Sequence, residues 1–198
     1  MVPLPFSGEL KYAVIFWVAY AVWALPEFTA WRSKCSGQFS KARDRGSLLA
    51  ILVLFWTGFA LDFWFALWLR QAAIPWARTP LFFIGVGLVL AGIALRWSAI
   101  GIMGRYFTLD VAIHAGQRVI EKGPYRYIRH PSYAGTVLSA AGIGLALGNW
   151  AGLLAVLACV GIAYGYRIRV EEEALIAGLG EPYRQYMRRT WRVVPFVF

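Results

Sequence analysis

Cysteine, histidine and charge are all scarce in this chain, and each scarcity narrows its chemistry. There are two cysteines and two histidines. Cys35 falls in a basic loop and Cys159 in an apolar run, far apart, so they fit neither a disulfide framework nor a metal site, and no metal is expected. A cysteine buried alone serves as a small hydrophobe. Charged residues make up 15% of the chain against 60% hydrophobic and 17% aromatic, which argues against a soluble globular domain. Acidic residues number 10 against 20 basic ones, for a formal net charge of +10. Such an excess could serve a nucleic acid, but here Lys and Arg collect between apolar runs, as in membrane proteins, and no nucleic-acid partner is expected. Met1 to Glu9 lacks the basic region of a cleavable signal peptide, so the first apolar run is expected to stay as an anchor. No internal repeat or low-complexity linker is visible. A length of 198 residues suits one compact domain.

What is present is a series of apolar segments. Tyr12 to about Ala30 is the first, interrupted near its end by Pro26 and Glu27. Leu48 to Leu69 is the second, carrying Asp62, and Leu81 to about Ile102 the third, with Arg96 in its last third. Each is near the ~20 residues that cross a bilayer as a helix. Tyr133 to Leu147 and Trp150 to Tyr166 are shorter, and Gly148-Asn149 between them forces an antiparallel hairpin. Local thinning or snorkelling accommodates two short crossings. Their small residues, among them Gly135, Gly142, Gly144, Gly152, Gly161 and Gly165, allow close helix contact. The expected fold is all-α, a polytopic membrane protein of about five transmembrane helices with a C-terminal cytoplasmic or interfacial helical segment.

Charge orients these crossings. Seventeen basic residues fall between the first and second segments, from Arg96 to Arg129 and from Arg167 to Arg192; Lys11, Arg70 and Arg78 face the other way. The positive-inside rule puts the N-terminus outside and the C-terminus in the cytoplasm. The C-terminal block should leave the membrane as a helix that stops at Gly180. Glu181-Pro182 should start another, with Arg184, Arg188 and Arg189 toward lipid head groups. Asp62, a charge inside an apolar run, is a functional candidate by default, though pairing within the bundle explains it better. The aromatic series from Phe55 to Trp68 suits packing and interface anchoring, or the border of a lipid-tail groove.

The densest polar stretch is Lys122-Gly-Pro-Tyr-Arg-Tyr-Ile-Arg-His-Pro-Ser-Tyr-Ala-Gly135. Gly123-Pro124 reads as a turn, and Pro131 suits the first position of a helix with His130 just outside it. Arg129, His130 and Tyr133 should then gather at a helix N-terminus, which attracts anions. Charge alone equally suits a basic loop gripping lipid head groups. Farther on come Arg167-Ile-Arg-Val-Glu171-Glu172-Glu-Ala-Leu175, then Gly180-Glu-Pro-Tyr183 and Tyr186. Arg167 and Glu171 share a helix face, and by themselves could be an ordinary surface pair worth about 0.3–0.5 kcal/mol.

These two blocks, in this order, resemble the signature of the isoprenylcysteine carboxyl methyltransferase family of integral membrane enzymes. The resemblance runs from about Arg96 to Pro195. The chain then reads as a single membrane domain over 1–198, with three transmembrane helices in 1–102 and, as the resemblance implies, a cofactor-binding, catalytic module with a helical hairpin in 103–198. The implied activity is methyl transfer from S-adenosyl-L-methionine to an amphiphilic or lipid-like acceptor, such as the carboxylate of a prenylated cysteine. Carried over residue by residue, Tyr125, His130, Pro131, Ser132 and Tyr133 line the cofactor site and Glu171 holds a cofactor group. Arg167 meets the substrate, and Arg167 and Glu171 form the catalytic pair. Where family members often carry His before the motif, this chain has Gln117, followed by Arg118, Val119 and Ile120. An amide donates and accepts hydrogen bonds much as an imidazole does, so Gln117 is preferred to His114.

The eukaryotic members have more membrane helices. This chain looks more like the short prokaryotic ones, which implies a multi-pass protein of a bacterial inner (plasma) membrane with its active site cytoplasmic. Its implied partners are the bilayer and an amphiphilic small-molecule or lipidated substrate. Two alternatives stay open. Membrane sterol reductases resemble this module and bind NADPH, although Ser132 and Gly135 match the methyltransferase form. A non-catalytic protein retaining the fold is the other.

Overall fold

The computed structural model describes residues 10–34, 45–108 and 116–195. Cys35, His114 and the side chain of Glu27 lie outside the described residues. Among the described residues six α-helices follow in order: α1 (Leu10–Lys34), α2 (Ser47–Trp68), α3 (Arg78–Met103), α4 (Pro131–Leu147), α5 (Trp150–Leu179) and α6 (Glu181–Arg189). Among the described residues, β pairing is confined to two isolated bridges, Ala73 with Asn149 and Ile128 with Trp191. The all-α expectation is borne out.

Three helices, α2, α3 and α5, are long and apolar enough to cross a membrane. The apolar part of α1, Leu10–Pro26, and α4 are shorter. The chain is a multi-pass membrane protein. Two boundaries differ from those read in the sequence. Pro26 does not end the first helix, which continues to Lys34, because a proline inside a helix removes one backbone bond and can be carried through. The second arm of the hairpin and the emerging C-terminal helix are one element, α5, since nothing between Tyr166 and Leu179 breaks it. Gly180 then ends it in a backbone conformation with φ 66°, which glycine adopts without a Cβ clash, and Pro182 follows in the first turn of α6, as expected.

Two antiparallel seams hold the bundle. Along the first, between α3 and α4, glycines face each other in pairs. A Cβ on Gly85 would lie 2.5 Å from the carbonyl oxygen of Gly142, and one on Gly135 would lie 2.6 Å from that of Gly92. Backbones approach this closely only where side chains are missing. Between the pairs, Ser139 Oγ donates to the Val89 carbonyl over 3.3 Å. At the end of the seam, Arg96 Nη1 donates to Ser132 Oγ over 2.7 Å. The second seam joins α2 to α5: Gly58 packs on Val156 and Cys159, and Gly152 on Asp62. Asn149 closes it at the hairpin, donating from Nδ2 to the carbonyls of Phe65 (3.0 Å) and Leu69 (2.9 Å) while Oδ1 accepts the Gly152 N–H that starts α5. Gly161 and Gly165, by contrast, meet nothing within 4 Å.

Asp62 departs from expectation. It is fully buried, but neither carboxylate oxygen makes a hydrogen bond among the described residues. It faces the bare backbone of Gly152, which gives it room and no partner. The aromatic series packs α1 on α2, with Trp23 against Phe55 and Phe59 (centroids 5.7 and 4.9 Å) and Phe16 and Trp17 against Phe63. Trp56, Trp64 and Trp68 point outward and are exposed.

Candidate active site

The motif segment enters the site through a sharp local geometry. Gly123–Arg126 forms one 3-10 turn with Tyr125 buried beneath it. Ahead of α4 the chain is then clamped by the C-terminal tail: the Trp191 and Arg192 carbonyls accept the N–H groups of Arg129 (2.7 Å) and His130 (2.9 Å). Pro131 opens α4 with His130 just outside it, as the sequence indicated. Pro131 itself is fully buried under this turn.

Below it, the polar end of α5 supplies two carboxylates with different surroundings. Glu172 is buried between two guanidiniums and an imidazole: Arg129 Nε at 2.8 Å, Arg192 Nε at 3.1 Å and His130 Nε2 at 3.4 Å. Arg129 also donates to the carbonyls of Met187 and Thr190, which ties in the end of α6. The guanidinium expected to face an incoming anion is thus turned onto Glu172 and α6. Glu171 is half-buried, accepts the Tyr133 hydroxyl proton over 2.7 Å and lies 3.9 Å from His130 Nδ1. The ring of Tyr133 stacks between those of His130 (5.4 Å) and Tyr164 (4.6 Å), so three rings lock the face on which Glu171 sits.

Arg167 is buried, with 2% of its surface exposed, which excludes an ordinary surface pair. Its Nε donates to the Tyr133 hydroxyl over 3.5 Å and its Nη1 to Ser47 Oγ over 2.8 Å. The Tyr133 hydroxyl therefore stands between Arg167 and Glu171. Burial pushes the phenols of Tyr125, Tyr183 and Tyr186 well above the usual tyrosine range, and at Tyr183 the nearby Glu172 and Glu171 charges push the same way. These groups stay neutral at physiological pH and act as hydrogen-bond donors: Tyr186 to the Tyr125 carbonyl (2.7 Å) and Tyr125 to that of Ala99 (3.4 Å).

An open pocket, about 630 Å³ when the solvent at its mouth is included, lies among these groups. Gln117, Tyr125, His130, Ser132, Tyr133 and Glu171 line it. Arg118, Val119, Ile120, Pro131 and Arg167 are not among its lining residues, although Arg167 donates to the hydroxyl of Tyr133, which is. The rest of the lining comes from Met103 and the Tyr106-Phe107-Thr108 segment beyond α3, from Arg129, and from Ala174 and Leu175 one turn past Glu171. Apart from Arg129, sequence reasoning missed these, as it missed Glu172, Ser47 and the Arg96–Ser132 bond. Glu172 had a signal, its place beside Glu171 in the second block. His130 Nε2 is buried and faces Glu172 Oε1 at 3.4 Å without meeting hydrogen-bond geometry. With aromatic rings, an amide and a carboxylate around the pocket, its lining suits a ligand with both apolar and polar ends.

Comparison with known proteins points the same way. Residues 85–177 match the profile of the isoprenylcysteine carboxyl methyltransferase (ICMT) family. Protein-S-isoprenylcysteine O-methyltransferase of Schizosaccharomyces pombe is 31% identical over 114 residues, covering 57% of this chain and 48% of that protein. Protein-S-isoprenylcysteine O-methyltransferase B of Arabidopsis thaliana is 32% identical over 115 residues, covering 57% of this chain and 58% of that protein. The chain spans about half the length of the curated relatives it matches. A solved structure of a eukaryotic intramembrane Ras methyltransferase superposes on 98% of this chain and 70% of its own, with a TM-score of 0.65 and 22% identity. That likeness establishes the fold.

Proposed function

From the match of residues 85–177 to the isoprenylcysteine carboxyl methyltransferase family, we propose that the chain belongs to that family and is an S-adenosylmethionine-dependent methyltransferase of an amphiphilic acceptor carboxylate, such as that of a prenylated cysteine. The observation that carries this reading is the cavity that joins Gln117, Tyr125, His130, Ser132, Tyr133 and Glu171 at one end of the helical hairpin.

The residues present fit the cofactor. An imidazole, a carboxylate and stacked rings suit a ligand with an ammonium, hydroxyls and an adenine. Glu171 would take the ammonium or a ribose hydroxyl, and the start of α4 the carboxylate. Bound there, S-adenosylmethionine would supply an electrophilic methyl group on its sulfonium. Arg167 would orient the acceptor carboxylate through its planar fork. That carboxylate is already ionised at neutral pH, so no general base is required, in keeping with the neutral phenols around the site. What the side chains contribute is alignment. Glu172, fastened by Arg129 and Arg192, would fix the scaffold on which Glu171 and His130 sit.

The reading is of one membrane domain over 1–198, with the helices of 1–102 supporting the module of 103–198, in a bacterial inner membrane. The N-terminus lies outside, and the C-terminus and cavity are cytoplasmic. A reporter fused after Phe198 is expected to be cytoplasmic and one fused before Leu10 external. Both ends on one side would remove one crossing from this topology.

Isothermal titration of the detergent-purified protein tests the activity class. S-Adenosylmethionine should bind and NADPH should not; the reverse result would make the protein a reductase. His130→Ala should weaken S-adenosylmethionine binding by about tenfold, the loss of one hydrogen bond to a charged or polar cofactor group. The folded yield should hold, because Arg129 and Arg192 still secure Glu172. Lost yield with unchanged affinity would make His130 structural.

A further inference from the structure

Every residue assigned above to the cofactor or the acceptor lies in the second half of the chain, yet the buried guanidinium of Arg167 is held from the first half. Ser47 is the first residue of α2 and is fully buried. A serine at a helix start ordinarily caps its own helix, accepting from a backbone N–H two or three residues on. At this start the cap position belongs to Gly46, which has no side chain to offer, and Ser47 Oγ accepts Arg167 Nη1 over 2.8 Å. Two further contacts straddle Arg167. The Tyr166 hydroxyl donates to the Arg45 carbonyl over 2.8 Å, and the Arg45 guanidinium pairs with Glu173 at 2.6 Å. The start of α2 thus grips α5 just before, at and just after the turn that presents Arg167 and Glu171. Ser47 lies outside residues 85–177, where the family resemblance resides.

We propose that Ser47 is a positioning residue for Arg167: the start of α2 sets the direction of the guanidinium that, on the reading above, holds the acceptor carboxylate. A planar fork discriminates by direction, so its value depends on how firmly its stem is aimed. Tyr133 from α4 and Ser47 from α2 hold two of its nitrogens from different helices, which fixes the plane more firmly than either alone. The contact therefore acts on acceptor alignment and leaves the cofactor site untouched.

The test uses the full chain in detergent with S-adenosylmethionine and an N-acetylated farnesyl-cysteine as acceptor. Ser47→Ala should lower kcat/KM for the acceptor by about tenfold, the size of one lost hydrogen bond to a charged group, with an unchanged dissociation constant for S-adenosylmethionine. Ser47→Thr keeps the hydroxyl and should recover to within about twofold of the parent. Added to Arg167→Ala, Ser47→Ala should cost nothing more, since residues acting through one interaction are not additive. If Arg167→Ala is severe but Ser47→Ala is normal, the positioning role falls and the assignment of Arg167 stands. If Arg167→Ala is itself normal, that assignment falls and takes this inference with it. Failure of Ser47→Thr to recover, weakened cofactor binding in Ser47→Ala, or an equal loss in the Arg167→Ala background would each overturn it too.

Discussion

Arg167→Ala is expected to lower turnover with a carboxylate acceptor by an order of magnitude or more while the affinity for S-adenosylmethionine stays where it was. The loss corresponds to about 1.5–3 kcal/mol of charge-assisted interaction made to the acceptor alone. Arg167→Lys should not recover it, because a point charge cannot reproduce the planar fork or reach Tyr133 and Ser47 together. Glu171→Ala should do the opposite and weaken cofactor binding itself. The two residues are separable because the Tyr133 hydroxyl stands between them. Direct titration with the cofactor, followed by steady-state assays of each variant, checks both claims. Normal cofactor affinity and normal turnover in both variants would place the active site elsewhere.

The second large effect concerns folding. Gly92→Leu should sharply reduce the yield of monodisperse protein and lower the melting temperature by about 6 °C or more. Overpacking a filled interior costs about 1–3 kcal/mol even where side chains can shift, and here they cannot. A Cβ on Gly92 would collide with the Ser139 hydroxyl and the Gly135 carbonyl, and backbone does not move aside as a side chain does. The helices would have to part, which also pulls Arg96 from Ser132 at the mouth of the cavity. Gly161→Leu is the matching control: it lies in an apolar helix but meets nothing within 4 Å, so its melting temperature should hold. Equal losses in both variants would mean that the glycine pairs do not hold the seam.

How much of this was legible beforehand depends on the range of the interaction. The starts of α4 and α6 and the end of α5 were readable because Pro131, Pro182 and Gly180 act within a residue or two of themselves. The cavity wall at His130, Ser132, Tyr133 and Glu171 was readable because its two blocks have a recognisable order. Gly135 and Gly142 were recognised as contact residues, but their partners Gly85 and Gly92 were not, since facing glycines reveal their register only once two helices are docked. Ser47 and Arg167 are separated by most of the chain, and a serine after a glycine carries no mark of the arginine it will meet. The failed expectation of a partner for Asp62 has the same origin: whether a buried carboxyl is paired depends on the helix opposite, which here offers a glycine.

The seam between α2 and α5 is pinned at both ends, by Asn149 on the carbonyls of Phe65 and Leu69 and by Arg167 on Ser47. On each helix the two pins are about five turns apart, roughly 27 Å, so they fall on the same side of the helix. That spacing makes the pair a matched ruler. A single residue inserted into either helix between the pins would turn everything beyond it by about 100° and advance it by about 1.5 Å, so one pin must break. Change in this protein's span length is therefore confined to whole turns made in both helices at once. Relatives adapted to thicker or thinner bilayers should differ by helix tilt, or by paired additions of about one turn on each side, and not by lone insertions.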